Sequence, residues 1–96
     1  MGYLHYGTNH IYRFCDRTLA HLRTVISSKL LQQESFVLSW SDEGQQFSLW
    51  LHPAGQLVFE FEKPVTDELD RSWLEQMINQ ANSPSGLKLS KTHIDE

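Results

Sequence analysis

The stretch from residue 35 to residue 62 most constrains what this chain can fold into. Its sequence, SFVLSWSDEGQQFSLWLHPAGQLVFEFE, contains three segments of alternating large apolar and other residues, separated by two short turns. Because successive side chains of a strand point to opposite faces, each segment places three large apolar groups on one side of a sheet. We therefore predict a meander of three antiparallel strands.

Turn residues separate the three segments. The first turn, Ser41-Asp42-Glu43-Gly44, is polar and ends in glycine, whereas the second, His52-Pro53-Ala54-Gly55, contains both proline and glycine. Proline fixes its own φ angle, and glycine permits a positive φ angle, so both sequences favour tight turns. Lys63-Pro64 should end the third strand, since proline cannot donate to a ladder of hydrogen bonds.

Two amphipathic helices are predicted on either side of the meander. The first runs from Arg17 to about Gln32 with Asp16 as its N-cap, and the second starts at Thr66 or Asp67 and ends near Ala81. Apolar residues recur at spacings of three and four in both segments, which is typical of a helix with one buried stripe. The stripes are Leu19, Leu22, Val25, Ile26 and Leu30 in the first helix, and Leu69, Trp73, Leu74, Met77 and Ile78 in the second.

Shorter strands complete the predicted order β-β-α-β-β-β-α, with a final strand at residues 86–89. Residues 3–6 and 10–14 form a hairpin around Gly7-Thr8-Asn9. We predict a single α+β domain over residues 1–96, a two-layer sandwich with a mainly antiparallel sheet and both helices on one face, and a frayed tail at 90–96. The helices should cover Phe36, Trp40, Leu49, Phe59 and Phe61.

The outer face of the predicted sheet carries Val37, Trp50, His52 and Val58 among polar residues. A tryptophan on a solvated face is unusual, and an exposed apolar patch often marks an interaction surface. We predict that these four residues bind a second copy, giving a homodimer, or another protein partner. Two alternatives are that a terminal segment of the chain covers this face, and that Trp50 stacks on a small ligand.

The charge distribution allows the hypothesis that the first helix contacts nucleic-acid phosphates. The net charge of −4 argues against a general polyanion binder. The first third is nevertheless basic, and Arg17, His21 and Lys29 on the first helix are candidate phosphate contacts. The alternative is that these residues lie on a solvated helix face without a ligand.

No catalytic, metal or cofactor motif is found in the sequence. A glycine-rich phosphate loop, a Cys-x-x-Cys pair and a pair of histidines four residues apart on a helix are all missing. The single cysteine, Cys15, suits a reducing cytoplasm. A small thiol- or nucleotide-acting enzyme that uses Cys15 or His21 with Arg17 is an alternative, whereas a small buried residue is the simpler interpretation of Cys15.

The N-terminal residues lack the basic leader and apolar core of a signal peptide, and no apolar run approaches the ~20 residues that span a bilayer. We therefore expect a cytoplasmic protein without a membrane partner.

Six stretches of the sequence carry a resemblance to other proteins: Met1-Gly2-x-Leu4-x-Tyr6-Gly7, Asp16-Arg17-x-Leu19-Ala20-His21-Leu22-x-x-Val25-Ile26-x-x-Lys29-Leu30, Glu34-Ser35-Phe36-x-x-Ser39-Trp40, Trp50-Leu51-His52-Pro53, Arg71-x-Trp73-Leu74 and Ala81-Asn82-Ser83-x-x-Gly86-Leu87. In these residues the chain resembles a family of short actinobacterial proteins of uncharacterised function and about this length. Many members carry the automatic label "ATP-dependent DNA ligase", so the resemblance implies an accessory role in nucleic-acid metabolism. The ligase activity itself requires a Lys-x-Asp-Gly motif, which this sequence lacks.

Overall fold

The computed structural model describes residues 1–89, which contain two helices and six strands. The predicted α+β class and the predicted order of elements are confirmed. The predicted tail at 90–96 lies outside the described residues. In chain order the elements are β1 (Gly2–Tyr6), β2 (His10–Phe14), α1 (Asp16–Leu31), β3 (Phe36–Asp42), β4 (Gln45–Leu51), β5 (Leu57–Glu60), α2 (Arg71–Ala81) and β6 (Leu87–Lys88).

The strands form two three-stranded sheets. The first sheet has the order β2-β1-β5 and is antiparallel throughout. The second has the order β4-β3-β6, in which β3 pairs antiparallel with β4 and parallel with β6. Both predicted hairpins, β1–β2 and β3–β4, are therefore confirmed, as is the short final strand.

The third strand of the predicted meander belongs to the other sheet. β5 pairs with β1, so that Leu4 lies opposite Phe59, and the prediction that it follows β4 in one meander is wrong. The segment after β4 closes a turn in which the Gly55 N–H donates to the His52 carbonyl oxygen at 2.9 Å. The Gly7 N–H then donates to the Gln56 carbonyl oxygen at 2.9 Å, which links the chain to the end of β1.

The β3–β4 turn consists of Glu43 and Gly44, whose φ angles are 49° and 78°. Positive φ at both central residues is the signature of a type I′ turn, whose twist matches that of the flanking strands. The register then continues without a bulge from Asp42 opposite Gln45 to Phe36 opposite Leu51.

Aromatic rings and the α1 stripe form the core between the sheets. Trp40 lies with its ring centroid 5.1 Å from those of Tyr12 and Phe14, and 5.3 Å from that of Phe47. These contacts join the inner face of the first sheet to that of the second. The predicted stripe of α1 is confirmed, with Leu30 half-buried and four residues fully buried: Leu19, Leu22, Val25 and Ile26.

Both predicted helix starts are wrong. Cys15, not Asp16, caps α1, because its Sγ accepts a hydrogen bond from the Thr18 N–H at 3.4 Å. The Asp16 carboxylate instead accepts the backbone N–H groups of residues 62 and 63, each at 3.3 Å. Asp70 caps α2, accepting from the Trp73 N–H at 3.2 Å, so this helix starts later than the predicted Thr66 or Asp67.

Among residues 1–89, neither helix combines the length and apolar character that crossing a membrane would require.

Gly86 and Gly7 give a matched test of how closely the loop before β6 packs on β3. Both have positive φ angles, 80° and 70°, but a Cβ at Gly86 would collide with the Val37 carbonyl oxygen, whereas one at Gly7 would meet open space. We expect Gly7→Ala to cost about 1 kcal/mol of unfolding free energy, because only the backbone is strained. Gly86→Ala should cost about 2–4 kcal/mol, since overpacking adds to the strain.

Urea denaturation of the two variants and the wild type measures the difference. Equal losses of stability would contradict the close approach at Val37.

Candidate functional site

The predicted interaction residues Val37 and Trp50 are direct cross-strand neighbours on the outer face of the second sheet. Trp50 is 58% exposed, and Val37 is half-buried. Next to them, the hydroxyls of Ser39 and Ser48 lie 3.0 Å apart on the same face. These four residues are called the Trp50 surface below.

The other two predicted residues do not belong to the Trp50 surface. Val58 is exposed, but it lies on β5 of the first sheet, opposite His5. His52 is exposed in the turn after β4, where its Nδ1 accepts a hydrogen bond from the Ala54 N–H at 3.1 Å. The predicted four-residue surface is therefore divided, because β5 does not extend the second sheet.

Trp50 and Val37 form one side of an open groove of about 490 Å³. The opposite side comes from the end of α1, the end of α2 and the loop before β6. The groove is also lined by Lys29, which the sequence analysis named as a candidate phosphate contact. Its lining residues are Lys29, Glu34, Ser35, Phe36, Val37, Trp50, Ala81, Asn82, Ser83, Pro84 and Gly86.

Lys29 is buried and bonded within the chain. Only 6% of the residue is exposed, and its Nζ lies 2.5 Å from Glu34 Oε2 and 2.6 Å from Asn82 Oδ1. Burying an ammonium group is unfavourable unless it is paired, and these two oxygens supply the pairing. The contact links the end of α1 to the end of α2. The solvated-face interpretation of Lys29 is wrong, because the residue lies one helical turn after the buried Val25.

His21 is also buried, so the solvated-face interpretation is wrong for it too. Its Nδ1 lies 2.7 Å from the Arg17 carbonyl oxygen, and its Nε2 accepts the Asp70 N–H at 3.0 Å. These partners fix the tautomer with the proton on Nδ1. The imidazole also packs on Trp73, with ring centroids 4.2 Å apart. Arg17 is exposed, so the structure does not unite the three candidate phosphate contacts in one basic patch.

Cys15 lies at the junction of β2 and α1 with 4% of its surface exposed, which confirms the interpretation as a small buried residue. Its thiol donates to Thr18 Oγ1 at 3.2 Å in addition to capping the helix. Within the described part of the chain, no three His, Cys, Asp or Glu side chains are grouped so as to hold a metal ion.

A separate charged cluster surrounds the amino group of Met1. This group lies 2.8 Å from Glu62 Oε2 and 3.6 Å from Asp16 Oδ2. The hydrogen bond to Glu62 raises the pKa of the amino group above its usual value, and the same bond lowers the pKa of the Glu62 carboxyl. None of these three groups lines the groove.

Almost the whole chain is similar to a known protein family. Residues 1–92 match the family described as a domain of unknown function (DUF7882). The chain belongs to this family. No significant match was found to a curated protein or to a solved structure. Membership in the DUF7882 family is consistent with the length and coverage of the resemblance found in the sequence, and it assigns no substrate or partner.

Sequence reasoning missed Glu34 and Asn82 as groove residues. Asn82 lies 53 positions from Lys29, so only the tertiary structure brings the two together. The burial of Lys29 and His21 did have a signal: His21, Val25 and Lys29 follow one another at intervals of four, which places all three on one side of α1.

The unequal exposure of Lys29 and Glu34 predicts that removing one or the other side chain changes the stability of the fold by different amounts. The Glu34 side chain is 49% exposed and can be solvated alone, whereas Lys29 cannot. Glu34→Ala should therefore lower the unfolding free energy by about 1–3 kcal/mol, because it leaves a buried ammonium group with a single partner. Lys29→Met should cost less, since it keeps most of the apolar stem and removes the buried charge.

Urea denaturation at neutral pH compares the two variants, and Ser28→Ala on the exposed side of α1 is the control. If Lys29→Met proved the more damaging change, the ion pair would not be what holds Lys29 in place.

Proposed function

We propose that this DUF7882 domain is a non-enzymatic interaction module that self-associates through the Trp50 surface. The observation that carries the proposal is the 58% exposure of Trp50 beside Val37, on a face that is otherwise polar. Tryptophan is among the side chains most enriched at the energetic centres of protein interfaces. About half of the indole ring is in contact with water, and covering this apolar surface with a partner favours association.

The surroundings of Trp50 support a protein contact over a catalytic role. The groove beside it contains Lys29, whose ammonium group is already bonded to Glu34 and Asn82 within the chain. The serine pair on the same face can exchange hydrogen bonds with a partner at the margin of a tryptophan-centred contact.

Replacing Trp50 tests this proposal directly. We expect the wild type to self-associate at tens of micromolar and Trp50→Ala to weaken the association by about thirtyfold, since truncating a hot-spot tryptophan costs about 2 kcal/mol. Light scattering over a dilution series measures both.

Leu31→Ala is the matched control, because Leu31 is 82% exposed at the end of α1 and lies outside the Trp50 surface. Its association should equal that of the wild type. A wild type that stays monomeric throughout the series would refute self-association, and equal losses in both variants would refute the role of Trp50.

A further inference from the structure

The four edge strands differ in how they are protected against pairing with another chain. The edges are β2 and β5 in the first sheet and β4 and β6 in the second. An edge strand exposes unpaired backbone groups, and natural proteins protect such edges with charges, short strands, proline or bulges. β2 carries Arg13, β5 has four residues including Glu60, and β6 has only two residues.

β4 has none of these protections. It is seven residues long, and its sequence QQFSLWL contains no charge and no proline. Its register with β3 is continuous, so no bulge turns the edge away. β4 therefore presents the longest unprotected edge in the described part of the chain.

The turn between β3 and β4 determines which backbone groups of β4 are free. In a hairpin with a two-residue type I′ turn, the residues that flank the turn form a hydrogen-bonded pair, here Asp42 and Gln45. Hydrogen-bonded and non-hydrogen-bonded pairs then alternate along the hairpin. The N–H and C=O groups of Gln46, Ser48 and Trp50 consequently point away from β3, and all three side chains are exposed.

We propose that β4 pairs antiparallel with β4 of a second copy, about a twofold axis at Ser48. This inference rests on the proposed self-association and specifies its geometry. Each Ser48 lies opposite Ser48 of the second copy, and each Trp50 lies opposite Gln46 of the second copy. These are the residues with outward-pointing backbone groups, so every such pair exchanges both of its hydrogen bonds. The β4-β3-β6 sheet of one copy and that of the other then form one continuous sheet.

The chemistry of β4 favours its own copy as the occupant. An uncharged strand does not repel an identical strand, and antiparallel pairing about a twofold axis satisfies each outward group with the same group of the other copy. The pairing also involves the Trp50 surface, because the Trp50 side chain of each copy then lies beside the Gln46 side chain of the other copy on the outer face. On the inner face, half-buried Phe47 and Leu49 come to lie opposite each other across the interface, where they cover their remaining exposed surface.

Opposite charges at position 48 test the twofold axis. The Ser48 side chain is exposed, and its hydroxyl lies 3.0 Å from that of Ser39, so a longer charged side chain can extend into solvent in the monomer. Ser48→Lys and Ser48→Glu each place two like charges face to face, which should weaken the dimer about hundredfold. An equimolar mixture of the two variants should restore a dimer, because the charges are then opposite.

Sedimentation velocity at tens of micromolar measures the masses, and Ser27→Lys on the exposed face of α1 is the control for an added charge. We expect a dimer for the wild type, the control and the mixture, and a monomer for each Ser48 variant alone. If the wild type is a dimer that Trp50→Ala weakens but neither Ser48 variant does, the strand pairing is wrong and the Trp50 proposal stands. A monomeric wild type refutes both proposals, and a mixture that stays monomeric refutes the axis at Ser48.

Amide hydrogen exchange gives an independent readout without any substitution. The N–H groups of Gln46, Ser48 and Trp50 should exchange more slowly as the protein concentration rises, because pairing covers them. The Thr8 N–H, in the β1–β2 turn, should show no such change. Exchange at the three β4 positions that is independent of concentration in a dimeric sample would overturn the inference.

Discussion

The packing of Trp40 between the two sheets determines which side chains of β3 and β4 face outward. Its ring contacts aromatic side chains from β2 and β4, so one residue of β3 joins both sheets. Each such aromatic pair adds about 0.5–1.5 kcal/mol to what burial alone provides. With Trp40 on the inner face, strand alternation places Val37 on the outer face, and the register of β4 places Trp50 there as well. The exposure of Trp50 therefore follows from the burial of Trp40.

Alternation along the chain predicted the faces of the strands correctly but not all of their neighbours. Phe36, Trp40 and the α1 stripe lie in the core as the period of the sequence indicates. The same pattern is compatible with β5 beside β4 or beside β1, because a strand buries the same face in either place. The choice depends on contacts between distant residues, such as the hydrogen bond from Gly7 to Gln56. No local rule contains that information.

Helix caps and buried charges show a second limit of local reasoning. Asp16 has the side chain that most often caps a helix, yet its carboxylate binds the chain after β5, and a cysteine caps α1 in its place. Trp50 and Val37 could be placed on the outer face from alternation, because the face of a strand residue follows from its position along the strand. The paired state of Lys29 could not, since Asn82 reaches it from the end of a different helix.

The position of Cys15 gives the protein an internal reporter of local opening. Its sulfur is buried and caps the first turn of α1, so an alkylating reagent can reach it only when this part of the protein opens. The rate of thiol modification under native conditions thus measures the free energy of this local fluctuation, separately from global unfolding. A single cysteine makes the signal unambiguous, because every modified molecule records the same event.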